Sequence, residues 1–541
     1  MPRTPTLRKL GWLAAEHRTA KALGIPVAEL RGQRATAVSR RELIRRGAII
    51  GAGLAAGIPA WLARPSDAAA ATPARIAIVG GGIAGLTAAL TLADKGVACT
   101  VYEASTERVG GRMHSDRSGY WADGQISEFC GELIDTGHQT IRHLAQRFGL
   151  DTVDLVAAQP NGTDDTFYFN GSRYPVDTAD KDFQPIHKTL QDQVQATGYP
   201  TTYRIHTDAG VAFDQMSVHD WIDAYVPGGH ASRMGGLLDA AYTEEYGAAT
   251  SDQAALNLMY LLGFQASPGN FQIFGASDER FHIAGGNQRL PEAIRDHLPA
   301  GTVRLGWAMQ SIRTNADGTV SMRFSTPGKP QTVTADQVIL CMSFAVLRTL
   351  DYSGAGFDPL KKRAITELGA GVNAKLQLQF DARYWNTIGS NGNLYSDLGI
   401  QNTWEVSRAQ PGMSGLIVDY SGGDLAAGYQ PSTPYSTAAS SPKVATYAGE
   451  FLARLEKAWP GISAHWNGKA TLSTPWLDPL LNCSYSYWKP GQYVGFSGYE
   501  GVAQGAIHFA GEHCSQDFQG YMEGGAAEGV RAASEILTAL K

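Results

Sequence analysis

The sequence Arg75-Ile76-Ala77-Ile78-Val79-Gly80-Gly81-Gly82-Ile83-Ala84-Gly85 combines a short β-branched run, a glycine-rich turn and the start of an apolar helical segment. These are the three parts that open a dinucleotide-binding βαβ unit. In such a unit Gly80 permits the tight turn, Gly82 lets the backbone approach a pyrophosphate, and Gly85 lets helix and strand pack closely. The pyrophosphate then lies at the helix N-terminus, where unpaired N–H groups face the anion.

A carboxylate follows at the place that a dinucleotide site requires. Residues 98–102 are predicted to form a second strand ending at Glu103, which comes 23 residues after Gly80. A carboxylate at this place accepts hydrogen bonds from a ribose diol. With strand, helix and acidic residue all placed, dinucleotide binding is favoured over a purely structural glycine turn.

A second glycine pair follows in Arg108-Val109-Gly110-Gly111-Arg112, where two cations are placed to meet phosphate oxygens. Nicotinamide-linked dehydrogenases rarely need this second cradle. The combined stretch from Ile78 to Arg112 resembles the FAD-binding opening of the flavin-containing amine oxidase family, which includes monoamine, polyamine and L-amino-acid oxidases. The resemblance implies FAD contacted by Arg112, whose alternative role is a surface ion pair.

The C-terminal segment carries a second motif of the same family. Residues 506–510 have the composition of a buried strand that meets Gly511-Glu512, and Gly520-Tyr521-Met522-Glu523-Gly524-Gly525 begins a long predicted helix. This resembles the family's closing flavin motif, which implies that Glu512 bonds the ribityl chain and that the helix N-terminus faces the isoalloxazine ring. From the sequence alone, a capping or surface carboxylate is the alternative for Glu512.

Because both ends of the chain contribute to one cofactor site, the resemblance implies an α/β fold with a discontinuous, Rossmann-like FAD-binding domain and an α+β substrate-binding domain. Residues 281–286 resemble the family's middle return to the FAD domain, and residues 338–341 are predicted to form another buried strand. The expected FAD-binding segments are 72–135, 281–345 and 476–541. The expected substrate-binding segments are 136–280 and 346–475.

One lysine lies in a segment of alternating polarity. In Ala374-Lys375-Leu376-Gln377-Leu378-Gln379-Phe380 the period of two predicts an amphipathic strand, and the pattern alone favours a solvated Lys375. Residues 371–385 also resemble the family segment whose lysine holds a water against flavin N5. This implies that the ammonium group of Lys375 helps dioxygen accept electrons by electrostatic stabilisation.

Two tyrosines fall on positions that form an aromatic cage in monoamine-oxidase relatives. The segment from Trp476 to Tyr487 resembles the one that passes the flavin face, which implies that Trp476 contacts the cofactor. Tyr485 from this segment and Tyr521 from the closing helix would orient an amine nitrogen, with cation–π attraction assisting its capture. Taken singly, each tyrosine is a core or rim aromatic.

The residues before Tyr485 bear on how FAD is attached. Some relatives attach FAD covalently through a cysteine at this place, where the present chain has Ser484, with Cys483 one residue earlier. Noncovalent FAD is therefore expected. The five cysteines form no CxxC pair, so neither a disulfide framework nor a metal cluster is predicted.

The resemblance implies an oxidase that converts a C–N bond to an imine, which water hydrolyses, while dioxygen becomes hydrogen peroxide. L-Amino-acid oxidases of the family commonly place an arginine after the FAD opening to pair with the substrate carboxylate. Residues 128–135 are acidic and contain no arginine, which favours an amine substrate. Arg280 or Arg289 could replace that arginine, so L-amino-acid oxidation stays an alternative. Glu132 either points at the substrate or is a capping or ion-paired carboxylate.

Two other classes of function are alternatives to an oxidase. A flavin-binding sensor with little turnover would share the same motifs, whereas a nicotinamide-linked dehydrogenase would lack the closing one. The 541 residues carry 45 basic and 51 acidic side chains, and the net charge of −6 argues against a nucleic-acid-binding protein. The expected partners are thus a small-molecule amine or amino acid and dioxygen, and a homodimer is compatible with the sequence.

The first 71 residues differ from the rest, with twelve Lys or Arg against four Asp or Glu. Ser39-Arg40-Arg41-Glu42-Leu43-Ile44-Arg45 precedes an apolar run over residues 47–63 and four alanines at 68–71. This resembles a twin-arginine export signal, which implies the export machinery as a partner and a periplasmic or extracellular location. A membrane anchor and an amphipathic helix on a membrane surface are the alternatives.

Overall fold

The computed structural model of the protein describes residues 74–265 and 267–540, so the predicted export segment lies outside the described part. In that part, two large sheets and fifteen α-helices carry most of the chain. None of these helices has both the length and the apolar character needed to cross a membrane.

The first large sheet is parallel and begins with the predicted strand Ile76–Val79. This strand is entirely buried, as expected where helices cover both faces of a parallel sheet. The order in space is Ile507–Phe509, Gln337–Leu340, Ile76–Val79, Thr100–Tyr102 and Val303–Arg304. Neighbouring strands therefore come from distant parts of the chain, which confirms the predicted discontinuous Rossmann-like fold.

The helices Ile83–Ala93 and Met522–Ala539 pack against each other beside this sheet. Glycines make the close approach feasible, because a Cβ atom at Gly529 would lie only 2.2 Å from the carbonyl oxygen of Ala84. Apolar side chains of the sheet and helices, among them Ile78 and Ile536, share one buried core. The first and last helices of the described chain thus form one structural element of the cofactor domain.

The second large sheet is mixed and mostly antiparallel. Its order in space is Tyr435–Thr437, Trp466–Ser473, Asn373–Phe380, Gly415–Gly422, Asn402–Glu405, Ser390–Ser396, Asp164–Phe169 and Ser172–Arg173. Together with the parallel sheet it gives the α/β architecture of two differently built parts that the sequence predicted.

The strand Asn373–Phe380 lies inside this sheet, and all its residues are buried. Its apolar face packs against the helix Pro442–Ala458. Its polar face meets residues 122–132, where Gln377 donates a hydrogen bond to the carbonyl oxygen of Glu128 at 3.1 Å. The prediction of a solvated Lys375, which the alternating pattern favours, is therefore wrong, because residues 122–132 cover the polar face of the strand.

The remaining strands form smaller sheets. A four-stranded sheet has the order Gln331–Ala335, Val320–Ser325, Ala308–Thr314 and Asp351–Gly354. Three pairs consist of Gly369–Ala370 with Ser486–Tyr487, Ser115–Asp116 with Ser127–Glu128, and Thr152–Asp154 with Phe281–Ile283. The strand Phe281–Ile283 lies within the predicted return segment, residues 281–286, but it does not join the parallel sheet. The fifth strand of that sheet, Val303–Arg304, was not predicted from the sequence. The predicted segment boundaries stay predictions.

Helices fill the segments between these strands. The α-helices are Ile83–Ala93, Gln139–Arg147, Val176–Thr197, Asp208–Gln215, Val218–Tyr225, Arg233–Tyr246, Ala255–Leu262, Arg289–His297, Phe344–Leu347, Pro359–Glu367, Tyr384–Thr387, Gly423–Ala427, Pro442–Ala458, Tyr493–Phe496 and Met522–Ala539. Short 3-10 turns occur at Ala122–Gly124, Gly229–Ala231, Thr250–Asp252, Ile462–His465, Pro475–Leu477 and Glu512–Cys514.

Candidate active site

Residues of both large sheets line one cavity with a volume of about 780 Å³. It brings together most of the predicted site residues, namely Gly80, Gly82, Glu103, Arg112, Lys375, Tyr485, Glu512 and Tyr521. The other two predicted residues, Gly85 and Trp476, do not line it. Residues predicted for cofactor binding and residues predicted for chemistry therefore share one continuous space.

The turn after the first strand brings backbone N–H groups to this cavity. Gly80 has a φ of +108°, which glycine adopts far more readily than other residues. A Cβ atom at Gly85 would lie 1.9 Å from the carbonyl oxygen of Gly80, so a larger residue would push the helix away from the turn. The helix Ile83–Ala93 begins without a side-chain cap, which leaves its first N–H groups available to an anion. Gly85 thus shapes the cradle without lining the cavity.

Glu103 lies at the end of the second strand, next to this turn. Its carboxylate oxygens accept hydrogen bonds from the backbone N–H groups of Gly81 at 2.6 Å and Ser105 at 2.7 Å. Burial raises the pKa of Glu103 despite these two bonds. Each oxygen keeps acceptor capacity, so the geometry fits a ribose diol.

Arg112 and Glu512 form an ion pair at the cavity wall. Arg112 Nη1 donates to Glu512 Oε1 at 2.8 Å and to the carbonyl oxygen of Ser484 at 2.9 Å. Glu512 Oε2 accepts further hydrogen bonds from Ser486 Oγ at 2.7 Å and the Gly520 N–H at 2.9 Å. Burial alone would raise the pKa of Glu512, but Arg112 and these hydrogen bonds lower it, so the carboxylate is charged.

The closing helix Met522–Ala539 also begins beside the cavity. Its N-cap is Tyr521, and no side chain caps its first N–H groups. Since Met522 and Gly525 line the cavity, the positive ends of two helix dipoles lie beside the same space. One cavity thus has two uncapped helix N-termini, a carboxylate that can accept from a ribose and an arginine, and this set of groups fits a dinucleotide such as FAD.

Lys375 is buried and ion-paired. Its Nζ donates to Glu132 Oε2 at 2.7 Å, and Trp404 Nε1 donates to Glu132 Oε1 at 3.1 Å. Only 7% of each charged side chain is exposed. The ammonium nitrogen also lies 5.2 Å from the centroid of the Trp404 ring. Of the interpretations of Glu132 given above, the ion-paired carboxylate is therefore the one observed, and this pair lines the cavity.

Tyr485 and Tyr521 reach the cavity from different segments, and both contact Glu245. The Tyr485 hydroxyl donates to the main-chain carbonyl of Glu245 and lies 2.9 Å from the hydroxyl of Tyr420. The Tyr521 hydroxyl donates to Glu245 Oε1 at 3.4 Å. Burial raises the pKa of both phenols well above the usual value, so both side chains are neutral.

Several cavity residues lie in the expected substrate-binding segments and were not singled out from the sequence. They are Glu245, Tyr246, Glu279, Trp404 and Tyr420. None belongs to a motif with a fixed spacing. The sequence signal that could have indicated Glu245 is the acidic pair Glu244-Glu245 at the end of a helix. That pattern is common on solvated helix ends, so it does not identify a site.

Trp476 and Cys483 lie near the cavity without lining it. Pro475 and Asp478, on either side of Trp476, are part of the wall. The indole N–H of Trp476 is buried and has no hydrogen-bond partner among the described residues. Cys483 is buried, and burial raises its thiol pKa.

The sequence model of the family described as flavin containing amine oxidoreductase matches residues 83–537. The chain belongs to this family. A nicotinamide-linked dehydrogenase, considered above, is therefore the wrong class.

Similar proteins and structures agree with this flavin amine oxidase family. The L-amino-acid oxidase of Naja atra is 24% identical over 481 residues, which cover 86% of this chain and 88% of that protein. The L-amino-acid oxidase of Siganus canaliculatus is 25% identical over 496 residues, with 86% and 85% covered.

Among solved structures, cyclohexylamine oxidase from Brevibacterium oxydans IH-35A matches with a TM-score of 0.72 at 20% identity, covering 86% of this chain and 99% of that one. Putrescine oxidase bound to putrescine matches with a TM-score of 0.71 at 17% identity and the same coverage. These structures confirm the fold. The family assignment and the site together identify an FAD-dependent oxidoreductase that oxidises amines.

Proposed function

We propose that this flavin amine oxidase acts on an amine that carries no carboxylate group, with dioxygen as the acceptor. For a primary amine, R–CH2–NH2, dioxygen and water would give R–CHO, ammonia and hydrogen peroxide. FAD, when bound, would supply the acceptor for a hydride equivalent, which is two electrons and one proton, and would make these electrons available to dioxygen. The protein supplies the orientation of the amine and the charges around it.

The observation that carries the substrate preference is that Arg112 and Lys375, both in the cavity wall, each form an ion pair with a glutamate. Arg112 is bound to Glu512 and Lys375 to Glu132. Arg108 Nη1 donates to the carbonyl oxygen of Gly111 at 2.8 Å. Arg108 has no acidic partner among the described residues and is assigned to the cofactor phosphates. A substrate carboxylate beside Lys375 would therefore meet a cation that Glu132 already neutralises, and burying it unpaired costs several kcal/mol.

The two arginines that could have replaced the amino-acid oxidase arginine lie elsewhere. Arg280 binds Asp154 through two nitrogens, with the shortest distance 2.6 Å, and Arg289 donates to the carbonyl oxygen of Ala284. Neither lines the cavity. Glu132 lies in the acidic stretch 128–135, where L-amino-acid oxidases of the family commonly place that arginine. Its negative charge further disfavours a substrate carboxylate.

L-Amino-acid oxidation is the second candidate, because the L-amino-acid oxidases of Naja atra and Siganus canaliculatus match most of the chain. Anaerobic mixing with phenethylamine and with phenylalanine separates the two candidates, since these compounds differ by one carboxylate. We expect phenethylamine to bleach the flavin absorbance faster, with peroxide released on admission of air. Faster bleaching with phenylalanine would make L-amino-acid oxidation the leading function.

The neutral phenols of Tyr485 and Tyr521 support a role in holding the amine. Aromatic faces attract a substrate ammonium through cation–π interactions, while neutral hydroxyls tied to Glu245 keep both rings in place. Lys375 is proposed to help dioxygen react, because its charge is held in the cavity by Glu132.

The proposal includes noncovalent FAD and export. Cys483 is buried and does not line the cavity, which supports a cofactor held by contacts alone. Export by the twin-arginine route is supported by Arg40 and Arg41 ahead of the apolar run. That route carries folded proteins, which suits a protein that acquires its cofactor before it leaves the cytoplasm.

A further inference from the structure

Two histidines and an aspartate come together outside the cavity described above. His219 and Asp223 lie on the helix Val218–Tyr225, and His230 lies in the 3-10 turn Gly229–Ala231. Each offers one atom that can bind a metal ion, and the three atoms lie within 4.8 Å of one another. None of these residues lines the cofactor cavity. The cluster is therefore separate from the groups assigned to amine oxidation.

The helix and the turn after it set this arrangement. Residues four apart share one face of a helix, and His219 Nε2 accordingly lies 3.6 Å from Asp223 Oδ2. The chain then turns through Gly228 and Gly229, both with positive φ, and brings Nδ1 of His230 to 2.7 Å from Asp223 Oδ1. A Cβ atom at Gly229 would lie 2.6 Å from the same oxygen, so this close approach depends on glycine.

The distances within the cluster suit a tetrahedral metal ion. Zn²⁺ binds histidine nitrogen and carboxylate oxygen at about 2.0–2.1 Å, which places neighbouring ligand atoms about 3.4 Å apart. The two imidazole-to-carboxylate distances, 2.7 and 3.6 Å, lie on either side of this value. The rings of His219 and His230 are stacked, with centroids 4.0 Å apart. Small movements of the side chains would therefore complete a three-ligand site.

A further carboxylate lies where it can orient His230. The second ring nitrogen, Nε2, is buried, has no hydrogen-bond partner among the described residues, and lies 3.5 Å from Asp239 Oδ1. The same oxygen of Asp239 accepts a hydrogen bond from the hydroxyl of Thr250. Histidines that bind a metal commonly donate their other ring N–H to a carboxylate. A metal ion at Nδ1 would place the proton on Nε2 and so give this buried nitrogen a partner in Asp239.

The composition of the cluster indicates which ions it can bind. Imidazole nitrogens favour Zn²⁺, Ni²⁺ and Cu²⁺, whereas Mg²⁺ and Ca²⁺ prefer sites made of oxygen atoms. The site is open to solvent, since 45% of the His219 side chain and 54% of that of Asp223 are exposed. An ion from solution can therefore enter, and a water molecule can take the fourth position.

We infer that His219, Asp223 and His230 bind one Zn²⁺ ion, with Asp239 as the positioning residue for His230. The ion would tie the helix Val218–Tyr225 to the turn that follows it. Because the unfolded chain does not hold the three ligands together, binding of the ion stabilises the folded protein. The site is structural, since its ligands lie outside the cavity.

The test uses untagged, purified holoenzyme that has been treated with EDTA and then dialysed. Equilibrium dialysis against ZnCl₂ should give one bound Zn²⁺ per chain. At a free Zn²⁺ concentration of about 100 times Kd, the melting temperature should rise by roughly 2 °C or more. MgCl₂ at the same concentration should leave the melting temperature unchanged. A holoenzyme that binds no Zn²⁺ would overturn the inference and leave the cluster as an ion-paired group only.

Three variants locate the ion. His219→Ala and His230→Ala each remove a ligand and should weaken Zn²⁺ binding more than tenfold, and Asp239→Asn should weaken it about tenfold. His465→Ala is the matched control, because His465 pairs with Asp381 at 2.8 Å outside the cluster. It should bind Zn²⁺ as the wild type does. Unchanged affinity in both ligand variants would show that the ion binds elsewhere and that the inference is wrong.

A measurement on the wild type decides the location even if a variant does not fold. Diethyl pyrocarbonate modifies accessible histidines, and mass spectrometry of peptides identifies the modified positions. We expect Zn²⁺ to protect His219 several-fold and to leave the modification of His465 unchanged. Equal modification of His219 with and without Zn²⁺ would overturn the inference.

Discussion

Arg112 and Glu512 meet at 2.8 Å although 400 residues separate them in the sequence. Arg112 ends the opening cofactor motif, and Glu512 begins the closing one. The pair therefore joins the two ends of the FAD-binding domain at the wall of the cavity. Because only 5% of the Glu512 side chain is exposed, its charge depends on this arginine for compensation.

Replacing the arginine tests this dependence. Arg112→Ala leaves a buried carboxylate unpaired, and we expect the free energy of unfolding to fall by roughly 2–4 kcal/mol and FAD to be lost on purification. Denaturant titration and the flavin-to-protein absorbance ratio measure the two effects. Arg75→Ala, which breaks the exposed pair with Asp336, is the control and should change stability far less. Equal losses in both variants would contradict the role given to Arg112.

The mode of FAD attachment can be read from acid precipitation. Because Cys483 does not line the cavity, we expect precipitation to release all flavin into the supernatant. Reverse-phase chromatography of the supernatant identifies the cofactor as FAD. Flavin that stays with the pellet in the wild type but not in Cys483→Ser would show a covalent bond at that cysteine.

Lys375→Met removes the ammonium group and keeps most of the side-chain volume. We expect reoxidation of the reduced flavin to slow by roughly a hundredfold, since a preorganised charge near the reacting oxygen is lost. Stopped-flow mixing of reduced enzyme with oxygen measures this rate. The variant also leaves Glu132 unpaired, so Lys375→Met with Glu132→Gln is the control that separates the missing cation from the stranded anion. Wild-type reoxidation in both would leave Lys375 a structural role.

Glu128 predicts a pH dependence of stability. Burial raises its pKa to about 8, although Ser115 and the N–H of Asn287 donate to its carboxyl. Since an unfolded glutamate titrates near pH 4.3, the native protein binds the extra proton between roughly pH 4 and 8. The contribution of Glu128 to stability is thus complete below this window and is lost as the pH rises through it.

The matched variant is Glu128→Gln, which resembles the neutral acid at every pH. We expect the melting temperature of this variant, minus that of the wild type, to increase from pH 5 to pH 8. Thermal denaturation in a series of buffers measures the difference. A difference that is constant over this range would show that Glu128 does not titrate there.

Export is tested by conservative changes in the N-terminal segment. Arg40→Lys with Arg41→Lys keeps the charge and removes the paired guanidinium groups, so we expect the protein to stay in the cytoplasm. Arg45→Lys with Arg46→Lys makes the same change next to the apolar run and should leave export intact. Cell fractionation followed by an immunoblot scores both. Normal export of the first variant would make the twin-arginine prediction wrong.

The sequence predicted the parts of the site that depend on local motifs. Gly80, Glu103 and the strands around them follow from spacing, because a tight turn before a helix admits few residue types. The burial of Lys375 could not be read from its strand, since the covering segment is about 250 residues away in the chain. Glu245 and Glu279 were missed for a similar reason, as their proximity depends on tertiary packing alone.

The order of the strands in the parallel sheet has a consequence for biosynthesis. The ribosome makes Ile76–Val79 early, but its sheet lacks the edge strand Ile507–Phe509, and its helix lacks the partner Met522–Ala539, until nearly the whole chain has been translated. A nascent chain therefore cannot complete the flavin cradle, and we expect cofactor loading to follow translation. If the protein is exported as proposed, FAD capture falls in the interval between release from the ribosome and transport.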